Sequence, residues 1–94
     1  MPSNRYRNTC GKLIRGNRIK LAWTQDDLAA KLQLAGLSHI DRVSLAKIES
    51  NIRSVYDYEL VIIADVFKIS LEEIVPKAAT VRANLQKLLP KKGS

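Results

Sequence analysis

One kind of helix start recurs four times within about 50 residues of this 94-residue chain. Each time, a residue at the capping position lies between an apolar residue just before it and another four positions into the helix. A polar cap accepts hydrogen bonds from the first backbone N–H groups, while the apolar pair fixes the angle at which the chain enters the helix. The four starts are Trp23-Thr24 with Leu28, Ile40-Asp41 with Leu45, Val55-Tyr56 with Leu60, and Ile69-Ser70 with Ile74. Although Tyr56 is a poor cap, the repetition predicts a series of short helices.

The spacing of the apolar residues predicts where these helices run and which faces they bury. We expect helices at about 9–22, 25–33, 42–50 and 57–68, and a short fifth at 70–75 that Pro76 ends. The inward faces are predicted to carry Leu13, Ile14, Ile19 and Leu21 on the first helix, Leu28, Ala29 and Leu32 on the second, Leu45 and Ile48 on the third, and Leu60, Ile63, Ala64 and Phe67 on the fourth. Most of these helices are too short to persist alone in water. The sequence therefore predicts a compact all-α bundle of five helices over residues 1–76.

Residues 77–94 form a separate basic segment at the C-terminus. Val81, Leu85, Leu88 and Leu89 share one helical face there, which predicts an amphipathic sixth helix. Its apolar stripe either covers the chain's own core or faces a second subunit.

The net charge of +7 is unevenly distributed. Residues 1–23 hold six bases and no acid, residues 77–94 hold five bases and no acid, and residues 54–76 carry a net charge of −4. Such a dipolar surface favours a polyanionic partner, or it is ordinary solubilising charge with basic tails. We interpret the acids of 54–76 as a solvated helix face.

Cysteine and hydropathy narrow the class of protein. Cys10 is the only cysteine, so neither an internal disulfide nor a zinc site with four Cys/His ligands can form. No apolar run approaches the ~20 residues of a membrane span. These features favour a cytoplasmic protein, and we expect neither a metal nor a cofactor.

Three stretches carry a resemblance to a known family: TQDDLAAKL at 24–32, RVSLAKIE at 42–49, and the fourth helix followed by SLEEI at 70–74. Together they resemble the lambda-repressor-like (Cro-type, XRE) helix-turn-helix proteins. The resemblance implies double-stranded DNA as the partner and a bacterial or phage transcriptional regulator, with repression as its default output. An antitoxin-type autoregulator belongs to the same class.

By this resemblance the third helix is the recognition helix, with Arg42, Val43, Ser44 and Lys47 facing base edges. Arg42 has the donors to bond guanine O6 and N7, and Val43 offers only an apolar contact to a thymine methyl. Ser44 suits a phosphate or a base, and Lys47 a guanine or a phosphate. The alternative for each residue is a solvated polar face.

The resemblance also implies contacts to the DNA backbone. Gln25 at the start of the second helix is predicted to bond phosphate, as are Asn51 and Arg53 after the third. Lys12 and Arg15 are weaker candidates of the same kind. A first-turn, turn-forming or surface-charge role is the alternative.

Arg18 and Glu49 match an arginine and a glutamate that the family often pairs. The resemblance therefore implies a structural ion pair that holds the third helix against the first.

The crossing between the second and third helices, residues 33–41, is about six residues longer than the family's usual turn. Loop extension costs little free energy, so the fold should survive, but the family's usual turn no longer sets the tilt of the recognition helix. We expect Gly36 to stop the second helix, with Leu34 and Leu37 tucked beneath the turn. His39 is a loop residue, a DNA contact or a pH-sensitive element.

Two other classes of function compete with DNA binding. A protein-interaction module would use the bundle and its C-terminal stripe to bind another polypeptide. An enzyme is disfavoured, because the chain has one histidine and one cysteine and no glycine-rich phosphate loop. If the chain binds DNA, we expect a homodimer.

Overall fold

The computed structural model describes residues 6–89. This range contains helices joined by turns and loops, and it contains no strand. Six α-helices are present in that range, with one 3₁₀ turn at Leu71–Glu73. The helices are α1 (Gly11–Lys20), α2 (Gln25–Leu34), α3 (Arg42–Glu49), α4 (Asp57–Phe67), α5 (Ala78–Ala83) and α6 (Leu85–Leu88). The all-α prediction is confirmed, and the predicted fifth helix is the 3₁₀ turn. The outer ends of the two basic flanks, 1–5 and 90–94, lie outside the described residues.

Local capping explains where the helices begin. The Asp27 N–H donates to the Thr24 hydroxyl at 3.0 Å, and the Thr24 N–H donates back to the Asp27 carboxylate at 2.8 Å. At the start of α3, the Ser44 N–H donates to Asp41 Oδ1 at 2.8 Å. These bonds satisfy N–H groups that have no partner within the helix, so the predicted starts of α2 and α3 are confirmed.

The core is formed where α1, α2, α3 and α4 meet. Its fully or nearly fully buried apolar residues are Cys10, Ile14, Leu28, Ala29, Leu32, Leu37, Ile40, Leu45, Ile48, Ile63, Ala64, Phe67 and Ile74. Trp23 packs against this cluster and stacks on Phe67 with 5.8 Å between the ring centroids. The predicted inward faces of α2, α3 and α4 are therefore largely correct.

The predicted inward face of α1 was wrong for three of its four residues. Ile14 is buried, but Leu13, Ile19 and Leu21 are exposed. Gly11 explains the difference, because it lies so close to α3 that a Cβ built on it would be 2.4 Å from the Ile48 carbonyl oxygen. This contact turns Cys10, Gly11 and Ile14 inward and leaves the other apolar side chains on the surface.

The long crossing folds back into the core. Gly36 has a φ of 113°, which ends α2 as predicted, and Leu37 is buried behind it. Leu34 is 90% exposed, so the prediction that it tucks under the turn was wrong. Two residues advance a helix by about 200°, which puts Leu34 on the side of α2 opposite the buried Leu32.

The C-terminal segment forms two short helices on either side of Asn84. Its apolar stripe is divided, since Val81 and Leu88 are half-buried while Leu85 and Leu89 are exposed. The N-terminal segment reaches this region, where the Tyr6 N–H donates to the Lys87 carbonyl at 2.8 Å.

Candidate nucleic-acid interface

The outward face of α3 is open along most of its length. Leu45 and Ile48 point into the core, which leaves the predicted base-reading residues on the other side. The Arg42 side chain is 58% exposed, Val43 is 54% exposed, and Lys47 is also exposed, while Ser44 is half-buried. Val43 and Lys47 are four residues apart and so share one helical face.

Arg42 has one loose ionic neighbour. Its Nε lies 3.7 Å from Asp26 Oδ1, and both side chains are mostly exposed. Exposed pairs of this kind contribute about 0–1 kcal/mol, so a phosphate or a base can displace Asp26 at little cost.

The position of α3 is fixed at its C-terminal end by Glu49. Arg18 donates from Nε to Glu49 Oε2 at 2.8 Å and from Nη2 to Oε1 at 2.9 Å, and both side chains are largely buried. Arg18 also donates from Nη1 to the Trp23 carbonyl at 2.8 Å. Hydrogen bonding to Glu49 raises the pKa of Arg18, against the opposing effect of burial. The pair thus joins the last turns of α1 and α3, the geometry that the resemblance implied.

Gln25 begins α2 beside this pair. Its side-chain amide donates to Glu49 Oε1 at 3.2 Å, and the residue is half-buried. The N-terminus of α2 therefore lies next to the C-terminal end of α3. The phosphate contact predicted for Gln25 stays a prediction.

Asn51 and Arg53, which were predicted to clamp phosphates, make contacts within the protein. Asn51 is 7% exposed and adopts a left-handed conformation just after α3, with a φ of 66°. Arg53 forms two hydrogen bonds of 3.1 Å to Glu59 and a third of 2.8 Å to the Ser54 carbonyl. These contacts favour a structural role for both residues.

Lys12 and Arg15 are exposed on α1, as a surface cation requires. None of the hydrogen bonds or ion pairs in the described part of the chain links them to α3. Their phosphate contacts also stay predictions.

Glu59 is fully buried, although the sequence pattern had predicted a solvated acidic face for it. Its carboxylate accepts hydrogen bonds from Arg53, from the Tyr56 N–H at 2.9 Å and from His39 Nε2 at 2.6 Å. Burial raises the pKa of Glu59, but these hydrogen bonds outweigh it and lower the pKa to about 2. Its position in the sequence could have indicated this burial, because Glu59 lies one helical turn before Ile63, on the buried face of α4.

Asn8 was also missed, and it connects α1 to the segment after α3. Its side-chain oxygen accepts from the Cys10 and Gly11 N–H groups, which caps α1. Its amide donates to the carbonyls of Ile48 at 3.1 Å and Arg53 at 2.8 Å. An asparagine three residues before a helix is the kind of signal that a search for capping residues can detect.

Comparison with known proteins agrees with this geometry. The family model described as helix-turn-helix matches residues 14–74, which is most of the bundle. The chain therefore belongs to the lambda-repressor/Cro-like XRE family of DNA-binding helix-turn-helix regulators. No curated protein and no solved structure gives a significant match. Among residues 6–89, no helix is long and apolar enough to cross a membrane.

Proposed function

We propose that this protein binds a specific duplex DNA sequence through α3 and represses transcription by occupying the promoter. The observation that carries the proposal is the exposure of Arg42, Val43 and Lys47 on a helix whose other face is anchored in the core. A short helix held in this way can enter the major groove without rearranging the bundle.

Each exposed residue of α3 has a task that its chemistry allows. Arg42 donates two hydrogen bonds to guanine O6 and N7, the strongest single discrimination available to this face. Val43 packs against a thymine methyl. Lys47 bonds a guanine or a phosphate, and Ser44 bonds whichever polar group comes within reach.

Phosphate contacts set the position of α3 in the groove. The N-terminus of α2 offers backbone N–H groups and a helix dipole beside Gln25, a combination that attracts an anion. Lys12 and Arg15 add positive charge from α1. Asn51 and Arg53 have no part in this proposal because their side chains are engaged inside the protein.

The protein acts as a homodimer in this proposal. Two copies related by a two-fold axis place their α3 helices in successive major grooves, about 34 Å apart, and recognise an inverted repeat. The exposed Leu85 and Leu89 of the C-terminal segment are the apolar residues available to a second copy.

Selection of bound DNA from a random duplex pool, at two salt concentrations, tests the proposal. We expect a palindromic consensus that survives the higher salt, because base contacts depend less on counterion release than phosphate contacts do. Recovery of unrelated sequences at both salt concentrations would contradict sequence-specific binding. A monomeric one-to-one complex would contradict the dimer alone.

One observation favours a second candidate, a module that binds another polypeptide, as an antitoxin-type autoregulator does. A shallow apolar depression of about 460 Å³ lies between the long crossing and α4, and its lining includes Leu37, Tyr58, Val61 and Ile62. Tyr58 and Val61 are more than half exposed. If this second function is the principal one, Val61→Ser abolishes binding of the partner polypeptide while the affinity for DNA stays unchanged.

A further inference from the structure

The segments on either side of the recognition helix bond the same buried carboxylate, that of Glu59. Glu59 lies on α4, with no exposed surface. One of its oxygens accepts from His39, three residues before α3, and both accept from Arg53, four residues after α3. A single side chain on a third element therefore links the segments that lead into and out of α3.

We propose that Glu59 is a positioning residue for DNA recognition, which fixes the tilt of α3 through His39 on one side and Arg53 on the other. The inference rests on the proposed function, because tilt matters only if α3 enters a groove. It adds a specific role for the long crossing, since His39 belongs to that segment.

The hydrogen-bond geometry supports a rigid link rather than an incidental contact. The His39 Nε2 to Glu59 Oε2 distance is 2.6 Å, which is short for a bond to a carboxylate. Arg53 approaches with two parallel donors, which restrains the orientation of the carboxylate as well as its position. The main chain of Arg53 is also held, because the Asn8 side-chain amide donates to the Arg53 carbonyl at 2.8 Å.

The ionic state of Glu59 makes the link persistent. The low pKa of Glu59 keeps its carboxylate ionised throughout the neutral range. The bond to His39 then requires a proton on Nε2, and both the neutral Nε2–H tautomer and the imidazolium supply one. The link therefore holds whether or not His39 is charged.

Without the His39 bond, the crossing loses its only side-chain link to α4 among the hydrogen bonds of the described residues. Gln33 still bonds the Ile40 carbonyl at 3.0 Å, and Ile40 stays buried, so the crossing remains folded. What is lost is the fixed orientation of α3. A change in tilt misplaces a bidentate arginine–guanine contact, which depends on exact geometry, more than it disturbs phosphate contacts, which carry no sequence information.

The test compares His39→Ala, His39→Gln and Glu59→Leu in the full chain. Each variant is titrated against the duplex selected for the wild type and against a random duplex. We expect His39→Ala to weaken binding to the selected duplex about tenfold and to leave binding to the random duplex within about twofold. His39→Gln retains an N–H donor and should recover most of the loss. Ser38→Ala, an exposed substitution in the same crossing, is the matched control and should change the affinity for neither duplex.

A double-mutant cycle separates positioning from independent effects. In a Glu59→Leu background, which leaves His39 no acceptor, His39→Ala should cause no further loss of affinity for the selected duplex. If Glu59→Leu does not fold, the His39→Ala and His39→Gln pair still decides the proposal, since the His39 side chain is 46% exposed and its removal leaves the core intact.

The outcomes distinguish this inference from the proposed function. If the wild type selects no sequence, the proposed function fails first. If the wild type selects a sequence and His39→Ala keeps the full preference for it over random duplex, the positioning role of Glu59 is wrong while the proposed function stands. Equal losses on both duplexes would also contradict it, because they indicate a change in folding or charge rather than in tilt.

Discussion

Arg18 and Glu49 form a two-pronged ion pair, with N–O distances of 2.8 and 2.9 Å, between the last turns of α1 and α3. The Glu49 side chain is 3% exposed and also accepts from Gln25, so three hydrogen bonds converge on one carboxylate. A carboxylate buried to this degree is stable only while its partners remain. The ion pair is therefore the main polar constraint on the C-terminal end of α3.

Removing one member of the pair should be costly. We expect Arg18→Ala to lower the free energy of unfolding by about 3–5 kcal/mol, because it leaves the Glu49 charge buried and unpaired. Urea unfolding followed by circular dichroism measures the loss. Arg15→Ala removes an exposed arginine from the same helix and should cost less than about 0.5 kcal/mol. Equal losses in the two variants would show that the pair has no special role.

Two glycines of α1 should respond to alanine in opposite directions. At Gly11 a Cβ would lie 2.4 Å from the Ile48 carbonyl oxygen, so Gly11→Ala should destabilise the fold by about 1–3 kcal/mol through overpacking. At Gly16 nothing lies within 4 Å of the added Cβ. Gly16→Ala should therefore stabilise the helix by about 0.5–1 kcal/mol.

Thermal unfolding of these two variants checks the close contact between α1 and α3. Gly16→Ala is the control for the helix propensity of alanine, since it carries the same chemical change without the contact. If Gly11→Ala raises the melting temperature as Gly16→Ala does, the two helices are further apart than described.

The start of α3 depends on its cap. Hydrogen bonds from Ser44 lower the pKa of Asp41, which shows that the ionised cap is the favoured form. We expect Asp41→Ala to lower the free energy of unfolding and Asp41→Asn to retain most of the stability, because asparagine also caps well. Urea unfolding at pH 7 measures both. An Asp41→Asn variant as unstable as Asp41→Ala would indicate a role other than capping.

The capping residues explain why so much of the fold was predictable from the sequence. Caps and their apolar partners act within about five residues, so Thr24 and Asp41 revealed the starts of α2 and α3 directly. Gly36 revealed the end of α2 for the same reason, because glycine is suited to a backbone with positive φ. The face of α1 was harder to predict, because Gly11 sets it through a contact with residues nearly 40 positions away.

The polar part of the site was predicted only where it resembled the family. Arg18 and Glu49 were identified in this way, as were the exposed residues of α3. Glu59 was not, because acids on a helix are usually solvated, and its burial depends on Arg53 and His39 arriving from other segments. Partnerships of this kind form only when the chain has folded.

Acid should weaken the fold through Glu59. Its pKa is lowered from an ordinary value of 4.5 to about 2, so it stabilises the folded state at pH values above 4.5. That contribution is lost as the pH falls from 4.5 towards 2, because the unfolded chain takes up the proton first. The difference in unfolding free energy between wild type and Glu59→Gln should therefore shrink over this range.

Urea unfolding at a series of pH values measures this difference. Glu72→Gln, at an exposed acid of the 3₁₀ turn, serves as the control for the loss of one carboxylate. A difference between wild type and Glu59→Gln that stays constant from pH 5 to pH 2 would mean that Glu59 is not held as an ionised, hydrogen-bonded carboxylate.

Recognition of DNA through the exposed face of α3 is tested most directly by equilibrium binding of Arg42→Ala to the selected duplex. We expect the loss of a bidentate guanine contact to weaken binding by about 1–3 kcal/mol, roughly 5- to 150-fold, and to relax the sequence preference at one position. Lys47→Ala should weaken binding and, if it bonds phosphate, reduce the salt dependence by about one unit of slope. Arg82→Ala removes an exposed arginine from α5 and should have the smallest effect of the three. If Arg42→Ala and Lys47→Ala leave both the affinity and its salt dependence at the wild-type level, recognition through α3 is wrong.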